Sequence, residues 1–174
     1  MNGKYLAISI GVVAVAGVVG SLMYEPSSPP QQSTVDGTIV AVTDLLKGVQ
    51  GKYPKASITE YRPITDELVK TGALPKAFLT GQSAKNAWGG NVVVQVFPQN
   101  AWKAGIAETI NVVLEAVPES ECVMVVQRLS QLSPGGIFQI NVEPSKRVHT
   151  SFPVTGETGC TPGVNNVGYT VFAG

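Results

Sequence analysis

The chain has 174 residues and a mass of 18.2 kDa, which is enough for one domain with a hydrophobic core. Only 14% of the residues are charged, and twelve basic residues balance twelve acidic ones. The absence of a basic surplus argues against a nucleic-acid-binding protein, and two cysteines with a single histidine supply at most three ligands to a zinc site.

An uncharged apolar segment, residues 5–24, lies between Lys4 and Glu25. A helix of this length, at about 1.5 Å per residue, spans the hydrocarbon core of a membrane. The basic residue before it predicts a cytoplasmic N-terminus and an exported remainder. We therefore interpret residues 1–25 as an inner-membrane anchor, with its apolar positions at Leu6, Ile8, Ile10, Val12, Val13, Val15, Val18, Val19 and Leu22.

Two alternatives remain open for this segment. A cleaved signal peptide has the same basic start and apolar middle, and it would place Val18 and Gly20 at the −3 and −1 positions of the cleavage site. A buried helix of a soluble fold is the second alternative. The anchor and the signal peptide both imply export.

A proline-rich stretch, residues 26–33, follows the apolar segment. Its three prolines and its lack of large apolar residues predict an extended linker. The globular domain is then expected over residues 34–174.

Hydrophobic periodicity and turn residues predict an α+β domain, in which a mostly antiparallel sheet packs on an amphipathic helix. Both helices of the first half precede the strands, and a third helix lies between strands. The predicted elements, in chain order, are a helix over 35–53, a short helix from Thr65 to before Gly72, strands over 91–97 and 106–117, a helix over 118–132, a strand over 137–142, a long ordered loop over 143–167 and a strand over 168–172.

The cysteines and the histidine offer little chemistry. Cys122 and Cys160 lie 38 positions apart, and two cysteines in an exported domain most often form one disulfide, with a pair of unlinked thiols as the alternative. His149 is predicted to be a solvated loop residue. The sequence has no nucleophile motif and no phosphate-binding loop. We therefore predict a non-enzymatic protein with no catalytic residues, cofactor or metal.

The stretch from Tyr61 to Phe97 resembles type IV pilins, most closely the type IVb and conjugative-plasmid pilins. In that family a helix end of the form "lv..G.lP" precedes an "N.wGG.v.v" turn into the first strand, and "vp...C" opens a later helix. The matching residues here are Leu68, Val69, Gly72, Leu74, Pro75, Asn86, Trp88, Gly89, Gly90, Val92, Val94, Val117, Pro118 and Cys122. Cys160 resembles the second cysteine of the disulfide that encloses the family's variable region.

The N-terminus departs from the family pattern. A prepilin leader ends in Gly, and Glu stands fifth in the mature chain. Cutting after Gly3 would place Ile8 fifth, and cutting after Gly20 would place Glu25 fifth but remove the apolar tail.

The resemblance implies a pilin-like fold and a structural subunit of a surface filament or of its envelope assembly machinery. Its implied partners are other pilin-like subunits and the inner membrane, and its implied settings are adhesion, secretion or conjugation at the bacterial envelope. The alternative is a periplasmic or surface binding module that uses a pilin-like domain to contact a receptor, DNA or an envelope protein.

Overall fold

The computed structural model describes residues 30–53, 60–98, 108–132 and 136–173. The predicted membrane anchor and residues 26–29 of the predicted linker lie outside this part of the chain. None of the helices in the described ranges is long and apolar enough to cross a membrane.

The described residues form three α-helices and eight strands, in an α+β arrangement that agrees with the sequence prediction. In chain order they are α1 (Pro30–Lys52), β1 (Arg62–Pro63), α2 (Thr65–Lys70), β2 (Leu79–Thr80), β3 (Ser83–Ala84), β4 (Val92–Phe97), β5 (Thr109–Pro118), α3 (Glu119–Gln131), β6 (Ile137–Glu143), β7 (Arg147–His149) and β8 (Val164–Phe172).

Helix α1 begins earlier than the sequence predicted. Residues 30–33 were expected in an extended linker, and that expectation is wrong because the helix already starts at Pro30. Proline fits the first turn of a helix, where a backbone N–H has no partner within the helix anyway. Proline disrupts a helix at interior positions, so Pro30 in the first turn does not prevent the helix from starting there.

Six strands form one antiparallel sheet in the order β1-β4-β5-β8-β6-β7, and β2 pairs with β3 in a separate hairpin. Alternate residues of each long strand point to opposite faces of the sheet. The inner face carries an apolar row across the central strands, as at Val94, Val112 and Tyr169, which lie opposite one another in the register. The outer face of the same strands carries mostly polar and small residues.

The buried apolar residues of the described ranges form one hydrophobic core, which lies between the inner sheet face and helices α1 and α3. Helix α1 contributes an apolar stripe that includes Val42, Leu45 and Val49, each with no exposed surface. Helix α3 contributes Val125, Val126 and Leu129 in the same way. The helix-spaced apolar residues of both segments were therefore correctly interpreted as core faces.

The prediction of one long loop over residues 143–167 is wrong in two places. It contains strand β7, and β8 begins at Val164 rather than at Gly168. Both segments are polar, with residues such as Asn165 and Asn166 that favour turns in isolation. Pairing with β6 and β5 supplies the backbone hydrogen bonds that make them strands.

Candidate functional site

A disulfide joins Cys122 and Cys160, as predicted, with the Cα atoms 6.0 Å apart. Cys122 is fully buried in the first turns of α3, and Cys160 lies in the segment before β8. The bond therefore ties the helix to the loop that leads into the central strand. Closing a loop of this length stabilises the fold by about 4 kcal/mol on the basis of chain entropy.

The region enclosed by the disulfide, residues 122–160, holds the β6–β7 hairpin and the loop that follows it. His149 is half-buried at the end of β7, and its Nε2 donates a hydrogen bond to the carbonyl of Thr158 at 2.9 Å. The prediction of a solvated loop histidine is therefore wrong, because hairpin pairing turns this side chain toward the loop. Gly159 adopts φ +81°, and a Cβ there would overlap the Arg147 side chain, so the closely packed loop requires glycine.

Helix α3 holds the same loop through Ser130. The buried Ser130 Oγ accepts the backbone N–H of Val154 at 3.0 Å and donates to the carbonyl of Gln127 at 2.6 Å. One hydroxyl thus fixes the loop to the helix face without leaving a buried polar group unpaired.

The predicted turn residues Asn86, Trp88, Gly89 and Gly90 lie together at the entry to β4. Asn86 is buried, and its Oδ1 accepts the backbone N–H groups of Trp88 and Gly90, each at 3.0 Å. Its backbone also closes the turn, through N–H to the Gly90 carbonyl at 2.8 Å. Trp88 packs half-buried against the core, and Gly89 takes φ +83°, which favours glycine.

The turn interlocks with a bulge in β5. The strand pairing with β8 is irregular between Leu114 and Val117, where Ala116 takes φ 54°. Asn86 Nδ2 donates to the Glu115 carbonyl at 2.6 Å, and a Cβ on Gly90 would overlap that same carbonyl oxygen. The turn therefore positions two distant strand segments against each other, and it is a structural element rather than a ligand site.

A network of charges joins the end of α1 to α2. Glu67 contacts Lys52 Nζ and Arg62 Nη1, each at 2.9 Å. Hydrogen bonding to Lys52, with further contributions from Tyr53 and Arg62, lowers the pKa of Glu67 to about 2. Burial and the adjacent Glu67 carboxylate raise the pKa of Tyr53 to about 12. Glu67, Lys52 and Arg62 pair with one another, and the buried Tyr53 hydroxyl has no hydrogen-bond partner among the described residues. None of these groups is arranged as a nucleophile with a base.

The outer sheet face carries a chain of polar contacts across three strands. Gln95 Nε2 donates to Tyr61 Oη at 3.0 Å, and Thr170 Oγ1 donates to Asn111 Oδ1 at 3.2 Å. Asn111 Nδ2 reaches Gln95 Oε1 at 3.4 Å and joins the two pairs. Beside this chain lies a shallow groove of about 200 Å³ over β5, β8, β6 and β7.

This groove was not predicted from the sequence. Its residues come from strands that are neighbours only in the folded sheet, so linear spacing gives no signal for it. The one available hint is the alternation of polar residues with buried aliphatic ones in segments such as Thr109–Pro118. Within the described ranges, no group of three or more His, Cys, Asp or Glu side chains is arranged to hold a metal ion.

A long N-terminal helix on an antiparallel sheet, with a C-terminal region closed by a disulfide, defines the pilin class of protein. The family comparison agrees. Residues 32–171 match the family model described as PilS N terminal, and the chain belongs to this family of type IVb pilins.

Two solved structures of type IVb pilins are similar to the chain. A crystal structure of a type IVb pilin from Salmonella typhi is similar with a TM-score of 0.56 and 24% identity, over 82% of this chain and 99% of that chain. An NMR structure of a type IVb pilin (PilS) from Salmonella typhi has a TM-score of 0.45 and 18% identity, over 83% of this chain and 97% of that one. No curated protein matches the chain.

The chain is therefore a structural subunit of a pilus, as the sequence resemblance predicted. The alternative of a separate binding module is not favoured. Membership of the family implies assembly with other pilin subunits and an extracellular or envelope location.

Proposed function

We propose that this pilin is held in the inner membrane by its apolar N-terminal segment and then joins a filament in which these segments bundle at the core. The family match over residues 32–171 carries the proposal. The length and apolarity of residues 5–24 support the membrane step, since such a segment is long enough to span a bilayer.

We further propose that the solvent-facing side of α1 contacts neighbouring subunits in the filament. This face, which we call the α1 outer face, consists of Asp36, Gly37, Val40, Asp44, Lys47, Gly48 and Gly51, all exposed. Val40 is 62% exposed and supplies the apolar side chain of this face.

The glycines of the α1 outer face support close approach of another chain. At Gly37 and Gly51 a Cβ would meet no atom within 4 Å, so the subunit itself does not require glycine there. Gly37, which lies inside the helix, costs about 1 kcal/mol of helix stability relative to alanine. A neighbouring subunit packed closely on this face would account for the presence of both glycines in the helix.

The test compares two valines of matched exposure. Val40 on α1 is 62% exposed and Val164 at the start of β8 is 63% exposed. Val164→Asp should change the stability of the single subunit by no more than about 0.5 kcal/mol, because Val164 is exposed. Val40→Asp should cost the single subunit up to about 1 kcal/mol, because the new carboxylate stands four residues from both Asp36 and Asp44 on the helix. In a filament, however, Val40→Asp would bury an unpaired charge at the contact.

We expect cells that produce Val40→Asp to lose most of their surface filaments, and cells that produce Val164→Asp to keep them. Sheared filament yield and electron microscopy would measure both, and immunoblotting of whole cells would confirm equal subunit levels. Normal filament yield with Val40→Asp, or equal loss with both variants, would exclude the α1 outer face as the contact.

A further inference from the structure

The groove on the outer sheet face has a floor without a side chain. Gly168 lies in the middle of β8, with Val113 of β5 opposite it on one side and Asn141 of β6 on the other. Because the neighbouring strands carry side chains and Gly168 does not, a depression of about 200 Å³ forms between them. An alanine methyl would fit there, at 3.6 Å from Val113 Cγ2 and 3.8 Å from Asn141 Cβ.

Two asparagines along the groove keep unused hydrogen-bond donors. Asn141 Oδ1 accepts from Gln139 Nε2 at 3.0 Å, and Asn166 Oδ1 accepts the backbone N–H of Ala116 at 3.1 Å. Each side chain is thereby held in one orientation. Among the described residues, the Nδ2 group of neither asparagine has a partner. The groove thus presents amide donors that are fixed in place and available to a ligand.

The groove has aliphatic walls and a charged rim. Val113 and the 53%-exposed Val148 supply apolar surface, and the charged residues Glu143, Lys146 and Arg147 stand at the rim. Within the described part of the chain, none of these three charges forms an ion pair. The floor itself is uncharged, so the groove suits a neutral polar ligand better than an ion.

We propose that this groove binds one ring of an oligosaccharide. A sugar ring presents hydroxyl groups at its edges and C–H groups on its faces, which match oriented amide donors beside aliphatic walls. The volume is below the range of about 300–1,000 Å³ that holds drug-sized ligands, and it therefore suits a single ring.

Two other occupants fit the groove less well. A peptide strand could not extend the sheet here, because the groove lies on the face of the sheet and the strands beneath it already pair with each other. An inorganic anion would meet the carboxylate of Glu143 as well as the cations of Lys146 and Arg147.

Binding to the single subunit does not depend on the filament role proposed above. In a filament, repeated copies of a weak site would act together on a surface that carries many sugar chains, and the overall affinity would exceed that of one groove. The first test therefore uses the unassembled chain, so that its outcome is independent of filament formation.

The full-length chain, isotopically labelled in micelles of a zwitterionic detergent without a sugar headgroup, would be titrated with methyl glucoside, methyl galactoside and N-acetylglucosamine. We expect at least one of them to shift the NMR signals of Gly168 and of the Asn141 and Asn166 side-chain amides, with a saturable, millimolar dissociation constant. Sulfate and an uncharged decapeptide serve as the competing probes.

Gly168→Ala places a methyl group on the groove floor without displacing its neighbours, and it should weaken binding about tenfold or more. Gly156→Ala is the matched control. Gly156 is exposed in the loop before Cys160, and an added Cβ meets nothing within 4 Å, so the dissociation constant should not change. Unchanged signals elsewhere in the spectrum would show that both variants are folded.

Three results would overturn the proposal. The first is that none of the three sugars shifts the groove signals. The second is that Gly168→Ala and the parent chain bind equally well. The third is that sulfate or the decapeptide saturates the same signals at lower concentration than every sugar.

Discussion

At the scale of single residues, Asn86 joins the turn before β4 to the bulge in β5. Its side chain accepts two backbone N–H groups and donates to the carbonyl of Glu115, and it is buried. The resemblance to the pilin family pointed to this residue and to Trp88, Gly89 and Gly90. It could not show that their partner is a bulge in β5, because that contact joins positions 29 residues apart.

Replacing Asn86 should leave several buried backbone groups unpaired. We expect Asn86→Ala to lower the free energy of unfolding by about 2–3 kcal/mol, since each unpaired buried group costs on the order of 1 kcal/mol or more. Urea unfolding monitored by circular dichroism would measure it. Asn91→Ala is the control. Within the described ranges, the exposed Asn91 side chain bonds only the Lys85 and Glu115 side chains, so its loss should cost about 0.5 kcal/mol. Equal losses in the two variants would contradict the structural role of Asn86.

Replacing Tyr169 is predicted to raise the free energy of unfolding, whereas replacing Asn86 is predicted to lower it. The Tyr169 side chain is fully buried on the inner sheet face, and its hydroxyl has no hydrogen-bond partner among the described residues. Burial also raises the pKa of this hydroxyl well above its usual value. We expect Tyr169→Phe to raise the free energy of unfolding by about 1 kcal/mol, because it removes an unpaired polar group and keeps the ring. A clear loss of stability in the same urea experiment would show that the hydroxyl is satisfied.

At the scale of elements, helices and strands were predicted most accurately where hydrophobic periodicity coincides with residues that mark the ends of the element. Helix α3 was expected over 118–132 and is found at Glu119–Gln131, and β4 was expected over 91–97 and is found at Val92–Phe97. Both have continuous apolar patterns bounded by turn or proline residues. The outer-face groove had no such signal, because it exists only through the strand order β5-β8-β6-β7.

Strands that consist largely of polar residues were not predicted from the sequence. Strand β7 has three residues, of which only Val148 is aliphatic, and its existence depends on pairing with β6. The two-residue strands β1, β2 and β3 are too short for any periodicity. In each case tertiary pairing, rather than local preference, determines the conformation.

The contact between α1 and α2 predicts a pH dependence. The pKa of Glu67 is about 2 in the folded chain, against an ordinary value of 4.5, so its ion pairs stabilise the fold above pH 4.5 and that stabilisation is lost as pH falls toward 2. Its side chain is 35% exposed, so solvent screening limits the contribution to about 1 kcal/mol. We expect Glu67→Gln to be less stable than the parent chain by this amount at neutral pH, and we expect the difference to shrink as the pH falls through about 2.

Urea unfolding at a series of pH values would measure this difference. Asp66→Asn is a suitable control, because Asp66 is the adjacent carboxylate and forms no ion pair among the described residues. A stability difference between Glu67→Gln and the parent chain that does not change with pH would contradict the assignment.

At the scale of the whole molecule, the low fraction of charged residues is most evident on the outer face of the sheet. At the centre of the outer sheet face lie Gln95, Asn111, Val113 and the buried Thr170, with Gly168 beside them, and none of these residues is charged. Interfaces and ligand sites are both depleted in charge at their centres. A pilus subunit has to contact neighbours and also present a surface to the environment, so a charge-poor domain suits both demands.

The central claim is that this pilin is built into a surface filament. The most direct measurement is mass spectrometry of filaments sheared from producing cells, together with electron microscopy of the same cells before and after deletion of the gene. We predict that the chain is a component of the sheared filaments, with Cys122 and Cys160 joined, and that the filaments disappear on deletion. Unchanged filaments in the deletion strain, with the chain absent from the sheared fraction, would contradict the account.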